Sequence, residues 1–585
     1  MANTADILIE TLLKWDVEVM FGLPGDGING IMESLRKRQK EIRFVQVRHE
    51  ATAAFMATAY GKWTGKLGVC LATSGPGGTN LLTGLYDAKL DQVAVLAITG
   101  MQFHDLNETF TQQDVNLIRV FDDVSVYNAQ VSDAAHVENV TSLACRSAYS
   151  KRGVSHISIA NDVQEQSAEE SARSKRNKPG HVSNDWFRSN PVPTDDEIAS
   201  ASAILNSSSK IAILIGNGAR GAATEVTKIA EKLGAPIIKA LLGKDVLPDD
   251  HPYTTGGIGI LGTAASQEVM ESCDALLIVG SSFPYVEYYP RPGQARCLQI
   301  DVDGQRIGLR CPVEVGLVGD AASTIRLLLE HLKDRIDMRF LDESKRKMHR
   351  WRQMIAELEA DTSLPMKPQT VVGALGKMLP EDAVVVADSG QNTELAARHV
   401  TIRGGQRFSV SGSLASMACG LPYALAAGIA FPGRPVFAIV GDGGLAMQLG
   451  EFSTAVSFDI PLKVLVIKNG MLNQIAWEQM MFLGNPQFAC ELAEIDFAKA
   501  AEAMGGKGYT IKDPARIQDI LSDAMSHSQP TIIEAVVDKY EPLMPPKMPK
   551  DYRRNFEKAL ADTPGAECIR RNISRKPVKG MYNGG

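Results

Sequence analysis

Short apolar blocks recur along the whole chain, each followed by a stretch with helical spacing. RFVQV, LGVCLAT, VAVLAITG and HISIA come first, then KIAILIG, ALLIVG and RCLQIDV, then DAVVVADSG, PVFAIVGDG, LKVLVIKN and TIIEAVV. A strand that is apolar on both faces needs cover on both, and helices between successive strands supply it when the strands run parallel. The expected fold is therefore α/β, built of doubly wound parallel sheets. At 585 residues the chain exceeds what one core can hold, and two polar stretches divide it. VQEQSAEESARSKRNKPGHVSNDWFRSNPVP reads as a linker, and LDESKRKMHRWRQMIAELEADTSLPMKPQ as a charged helix running into a second link. The division gives three α/β domains, at 1–165, 190–340 and 366–545, and a tail at 546–585.

Charge and composition narrow the function classes. A net charge of −7 argues against general binding of nucleic acid. No apolar run reaches membrane-spanning length, and the start MANTADILIETLLKW is acidic and helical rather than a signal peptide. The eight cysteines are scattered without a CxxC pair, which fits reduced, mostly buried thiols rather than a disulfide framework or a zinc site. A cytoplasmic enzyme is expected. The tail differs from the rest: from Pro545 to Gly585 ten Lys or Arg stand against four Asp or Glu. Such a run is first of all solvated surface.

Two places carry chemistry. The strand VFAIV delivers Asp442 to a Gly-rich turn, and the next strand, LKVLVIKN, ends on Asn469. Ligands of parallel sheets collect beyond the carboxyl ends of strands, so the two oxygen side chains converge there, and magnesium prefers hard oxygen donors shared with phosphates. Gly443 and Gly444 let main-chain amides approach those phosphates. A capping Asp beside a turn Asn would leave the same pattern. The second place is FVQVRHEATAAFMATAYGKWTGK, where Glu50 stands among small apolar residues at a strand end. Taken alone it is either a charge at a helix N-terminus or a desolvated acid with a proton to handle.

The order FGLPGD, RHE, SGPGG, a middle GxGxxG, ADSGQNT, GSLASMACGLPYALAAG and GDGG with a later Asn resembles the thiamine-diphosphate-dependent enzymes of the pyruvate oxidase and acetolactate synthase group, over Met1 to about Pro545. The resemblance implies roles. Glu50 would bond N1′ of the cofactor's aminopyrimidine and so promote deprotonation of the thiazolium C2, with Pro24 of FGLPGD nearby. Asp442, Asn469 and the carbonyl of Met471 would hold Mg2+, and Gly390, Gln391, Asn392, Gly443 and Gly444 would touch the diphosphate. Met417, beside Ser416, matches the large apolar residue over which the cofactor bends; by composition alone it is a core methionine. In this family Glu50 and Asp442 meet across a subunit interface, which implies a homodimer at least, with a tetramer common.

The middle domain points to a second cofactor. Gly216-Asn217-Gly218-Ala219-Arg220-Gly221 lies between a strand and a helix, the context of a dinucleotide fingerprint, though one such motif is weak and an empty domain of this type would carry it too. GSSFPYVEYYP and LQIDVDGQRIG resemble the flavin-binding segments of pyruvate oxidases, which implies FAD held by Gly216, Gly218, Ser281, Ser282, Phe283, Asp301 and Asp320, with Gly259 of GGIGILGTAAS on its other side.

Flavin alone does not choose the reaction. Glu478 stands where the oxidases have an acid and the synthases a pocket-shaping tryptophan. Gln113 keeps an amide of the oxidase pattern, but Gln112 and Gln474 replace aromatic residues, and Asn473 replaces a usual Gly. Two amides in place of two rings make the wall more polar, which admits a 2-keto acid with an extra hydroxyl or carboxylate. With Glu50, Gln113, Gln474 and Glu478 at the reacting centre, the leading expectation is oxidative decarboxylation of pyruvate or a related 2-keto acid, with electrons passed to FAD and then to oxygen or a quinone. The alternative is a non-oxidative carboligase with structural FAD. A silent binding protein on this fold is disfavoured by the joint presence of Glu50, Asp442 and Asn469. For the tail, Tyr552, Phe556 and Leu560 share one helical face. A basic amphipathic helix can lie on an anionic bilayer, but this face is small and Pro564-Gly565 ends it. A lid over the protein's own active-site mouth is favoured over peripheral membrane contact.

Overall fold

The computed structural model describes residues 2–169, 173–187 and 189–575. Three six-stranded sheets follow one another along the chain. The first holds β1 (Val19–Gly22), β2 (Arg43–Gln46), β3 (Gly68–Ala72), β4 (Val95–Met101), β5 (Ser125–Val131) and β6 (Val154–Ala160). The second holds β7 (Ile211–Ile215), β8 (Ile237–Lys239), β9 (Thr254–Gly257), β10 (Ala275–Val279), β11 (Arg296–Asp301) and β12 (Val313–Val318). The third holds β13 (Val384–Ala387), β14 (Arg407–Ser409), β15 (Val436–Gly441), β16 (Leu462–Lys468), β17 (Lys507–Ile511) and β18 (Thr531–Val536). Every ladder between these strands is parallel, as the wholly apolar blocks require.

The strand orders place the crevices. The first sheet runs β2-β1-β3-β4-β6-β5, and the third repeats it as β14-β13-β15-β16-β18-β17. The middle sheet runs β12-β11-β10-β7-β8-β9, which read from its other edge is the 3-2-1-4-5-6 order of dinucleotide-binding domains. In each sheet the order reverses beside the first strand, so a crevice opens beyond β1 and β3, beyond β7 and β10, and beyond β13 and β15.

The domains are locked together by buried charge as well as apolar contact. Helix Glu50–Thr64 of the first domain lies against helix Gly420–Ala430 of the third, and their alanines share one core with both sheets. At that seam Lys62 Nζ is 2.6 Å from Asp91 Oδ2 and 2.6 Å from Tyr423 Oη. Asp245 of the middle domain takes Arg220 bidentately, at 2.7 and 2.8 Å, and Arg407 Nε of the third domain at 3.0 Å. Ile402 N donates to Asp249 Oδ2 at 2.8 Å and closes the same seam. All eight cysteines are free thiols and seven are buried.

The tail is more ordered than a solvated basic run. Helix Lys550–Leu560 contains the expected amphipathic turn, and Pro564-Gly565 interrupts it only to begin a second helix, Ala566–Arg575. Residues 576–585 of the tail lie outside the described residues. Phe556, Ala559, Leu560 and Ile569 pack on Trp477, Met480 and Met481 of the third domain. Asn572 joins a buried pair: its Oδ1 accepts from Lys367 Nζ at 2.9 Å, and its Nδ2 donates to Asp538 Oδ2 at 3.0 Å. Among the described residues no helix is long and apolar enough to cross a membrane.

Candidate active site

At the mouth of the third sheet, β15 ends on Gly441 and Asp442 opens a short helix. The Asp442 carboxylate accepts from Gly443 N at 2.9 Å and from Gly470 N at 2.7 Å, and burial pushes its carboxyl above the usual carboxylate range. From the next strand Asn469 Nδ2 donates to Gln391 Oε1 at 3.1 Å, while its Oδ1 accepts from Met471 N at 2.9 Å. Gly390, at φ +123, makes the bend between β13 and helix Gln391–His399. The first amides of that helix have no partner within it and face the crevice end of the sheet. Asn392 Nδ2 bonds to Ile439 O at 3.3 Å and to Asp388 O, so this side chain pins β13 to β15.

Met417 is not a core methionine. It is half-buried on a loop whose neighbours Ala415 and Ala418 both have left-handed backbones, at φ +52 and +69. Its Cε would lie 3.5 Å from a Cβ placed on Gly443, so it overhangs the Gly-rich turn after β15. Ser416 N is held by Ser411 Oγ at 3.0 Å.

At the middle switch point, the turns after β7 and β10 touch. A Cβ on Gly216 would meet Gly280 O at 2.4 Å, and one on Gly218 would meet Gly280 Cα at 2.7 Å, so only glycine fits. Gly218 N donates to Gly280 O at 2.9 Å. Ser281, Ser282 and Phe283 continue from this turn, and Arg306 Nη1 reaches Ser282 Oγ at 3.4 Å. Asp301 ends β11, where burial raises its carboxyl. Asp320 also serves locally, accepting from Ser323 N at 3.0 Å as the cap of helix Ala321–His331.

These two crevices open into one cavity of about 1020 Å³, which exceeds the space a single drug-sized ligand fills. Its wall includes Gly390, Gln391, Asn392, Met417, Asp442, Gly443, Gly444, Asn469 and Met471 on one side, and Gly216, Gly218, Gly259, Ser281, Ser282, Phe283, Asp301 and Asp320 on the other. Gln474 and Glu478 join them, bonded to each other at 2.8 Å. Four expected residues are not on this wall: Ser416, Pro24, Glu50 and Gln113. Ser416 points its hydroxyl to Met417 O. The other three belong to the first domain's own crevice. There Glu50 is 7% exposed at the start of its helix and accepts from Asn80 Nδ2 at 3.0 Å, while Gln113 Oε1 accepts from Ser74 Oγ at 2.6 Å. Within one chain Glu50 is therefore not brought to Asp442.

The donor set suits a metal that is shared with a phosphate. Among the described residues there is no group of three or more His, Cys, Asp and Glu side chains able to hold an ion. A cation held by Asp442 would complete its shell with ligand oxygens, the habit of magnesium. Sequence reasoning did not single out Asp388, or the Arg220–Asp245–Arg407 bridge. Asp388 lies in the quoted ADSGQNT, and its place directly after a strand was the available signal.

Three family models match the chain in order: the N-terminal TPP binding domain of thiamine pyrophosphate enzymes at 2–120, their central domain at 198–328 and their C-terminal TPP binding domain at 388–535. The chain is similar to YdaP of Bacillus subtilis (strain 168), described as thiamine pyrophosphate-containing, with 36% identity over 94% of each chain. It is 30% identical to a pyruvate oxidase of Lactiplantibacillus plantarum, over 93% of this chain and 90% of the relative. It is also 30% identical to an acetolactate synthase large subunit of Mycobacterium tuberculosis, over 91% of this chain and 88% of the relative.

Proposed function

The chain belongs to the thiamine-pyrophosphate-dependent pyruvate oxidase and acetolactate synthase family, and on that premise we propose an enzyme that oxidatively decarboxylates pyruvate or a related 2-keto acid, using thiamine diphosphate, Mg2+ and FAD, with oxygen or a quinone as final acceptor. The observation that carries this reading is the single cavity shared by the Asp442 crevice and the dinucleotide switch point. Thiamine diphosphate supplies a nucleophilic carbon and an electron sink, and FAD a two-electron acceptor. In this reading Asp442, Asn469 and the Met471 carbonyl hold Mg2+. The turn glycines Gly390, Gly443 and Gly444 and the main-chain amides of Gln391 and Asn392 receive the diphosphate. Met417 props the cofactor, flanked by Ser416. Glu50, beside Pro24, exchanges a proton with the aminopyrimidine. Gln113, Gln474 and Glu478 face the substrate. Gly216, Gly218, Gly259, Ser281, Ser282, Phe283, Asp301 and Asp320 take FAD.

The separation of Glu50 from the cavity within one chain supports sites completed by a second copy, so the working unit is a homodimer at least. The reaction is tested by mixing the loaded enzyme with pyruvate without oxygen while following flavin absorbance. Rapid bleaching is expected. An unchanged flavin with acetolactate or acetoin formed would instead assign a carboligase in which FAD is structural.

A further inference from the structure

Asp388 has no role in the assignments above, yet it sits at their centre. It follows β13 directly and is 1% exposed. Its Oδ1 accepts from Ser389 N at 2.8 Å and faces Cys419 Sγ at 3.5 Å, and its Oδ2 accepts from Ala418 N at 3.1 Å. Its surroundings are cleared by glycine. A Cβ on Gly444 would come within 2.2 Å of Oδ2, and one on Gly420 within 2.9 Å of Asp388 Cβ. Among the described residues no Lys, Arg or His makes a hydrogen bond or ion pair with the carboxylate, and burial raises its carboxyl to about 6.

A buried acid without a cation is a costly way to fill space. What distinguishes it from Asn is that both oxygens only accept when ionised, whereas an amide presents an NH2 group. All three partners here are donors, so an amide would turn its NH2 group toward one of them. Two of the donors belong to the loop that carries Met417. Ala418, in that loop, is held at φ +69, a left-handed backbone that costs an L-residue about 1–2 kcal/mol. Such conformations persist only where the surroundings over-determine them. The bond from Ala418 N to Asp388 is a direct restraint on that residue. The same carboxylate bonds Ser389 N, one residue before Gly390, and abuts Gly444.

We infer that Asp388 is a positioning residue that holds Ala418 in its left-handed conformation and thereby sets Met417 over the Gly443–Gly444 turn. This rests on the placement of thiamine diphosphate at that turn proposed above. The consequence is specific, because a glycine at 418 takes a positive φ without strain and needs no such hold.

The test uses the full chain and measures binding of Mg2+ with thiamine diphosphate by calorimetry, together with the near-ultraviolet circular dichroism of the bound cofactor. Asp388→Asn is expected to weaken binding about tenfold or more and to alter the dichroism, as for loss of a buried charge-assisted bond. Ala418→Gly in that background is expected to recover the wild-type dichroism and most of the affinity, a rescue that a purely space-filling role does not predict. Wild-type affinity and dichroism in Asp388→Asn would overturn the inference, as would a double variant no better than the single one. If Asp388→Asn does not fold, the double variant decides by the same reading: a folded, cofactor-binding protein supports the hold, and failure overturns it. A wild-type chain that does not bind the cofactor would remove the proposed function together with this inference, whereas an unaffected Asp388→Asn removes this inference alone.

Discussion

In the function proposed above, Gln474 is the amide that bears on the choice of substrate. Its Nε2 donates to Glu478 Oε1 at 2.8 Å across one helical turn, which fixes which end of the amide is oxygen, and that oxygen is buried with no donor among the described residues. Next to it Asn473 Nδ2 is tied to Lys539 O at 3.2 Å, and its Oδ1 is buried without a donor too. A buried carbonyl left without a donor costs about 1–3 kcal/mol. Among the described residues no Lys, Arg or His bonds to Glu478; if these side chains face the substrate, as proposed, a second carboxylate would meet acceptors, whereas a hydroxyl would bring the donor the amides lack. Gln474→Phe should therefore shift preference from 3-hydroxypyruvate toward the apolar 2-oxobutyrate, by about tenfold or more in the ratio of kcat/KM. An unchanged ratio would show that Gln474 does not face the substrate. The polarity of this wall was legible in the residues themselves, and so was the placing of Asp442 and Asn469 just after the ends of neighbouring strands. The direction of the amide was not, since it depends on a partner four residues away. Nor was Asp388, because an Asp after a strand is in most proteins a turn residue and only burial without a cation sets it apart.

Among the elements, most strands visible in the sequence were interior ones, although RFVQV is the edge strand β2 and the interior β1 was not among them. A central strand such as β16 is buried almost throughout and reads as an unbroken apolar run. β5, β12 and β17 lie on sheet edges and are half-exposed, with SVYNAQV, VEVGLV and KGYTI mixing polar residues among apolar ones, so their strand character comes from the neighbour they pair with. β8 and β14 are three residues long, too short for a period. In the tail the apolar triplet Tyr552, Phe556 and Leu560 was legible, but its target was not. That target is the stretch on both sides of Glu478: Phe556 lies 6.0 Å from the Trp477 ring, and Asn555 Nδ2 donates to Phe482 O at 2.9 Å. Burying a side chain of this size contributes about 1.5–3 kcal/mol, enough to order a short segment beside the substrate wall. Deleting Pro545–Gly585 should accordingly lower turnover and expose the flavin while leaving binding to anionic liposomes little changed. A truncated protein with full soluble activity and lost liposome binding would reverse the role of this element.

At the scale of the whole molecule, the first and third sheets share one strand order but carry complementary chemistry. The first domain's crevice holds an acid, Glu50, bonded to Asn80. The third domain's crevice holds Asp442, Asn469 and the turn glycines, and Glu50 does not lie on its wall. Within a chain the two domains spend their common seam on packing: helix Glu50–Thr64 is buried against helix Gly420–Ala430, with Lys62 bonded to Asp91 and Tyr423 at the seam. A two-fold dimer can bring the first crevice of each copy to the third crevice of the other, because an isologous contact is made twice. This predicts complementation between defective chains. Glu50→Gln alone should suppress proton exchange at the cofactor, and Asp442→Ala alone should weaken Mg2+ and diphosphate binding, so each homodimer is inactive. In a hybrid of the two, one site collects both substitutions and the other receives the intact Glu50 of one chain and the intact Asp442 of its partner. Refolding or co-expressing the two variants in equal amounts should restore roughly a quarter of wild-type sites, given random pairing into two-fold dimers. If each site were instead completed within its own chain, every site in the hybrid would carry one substitution, and the mixture would stay as inactive as its components.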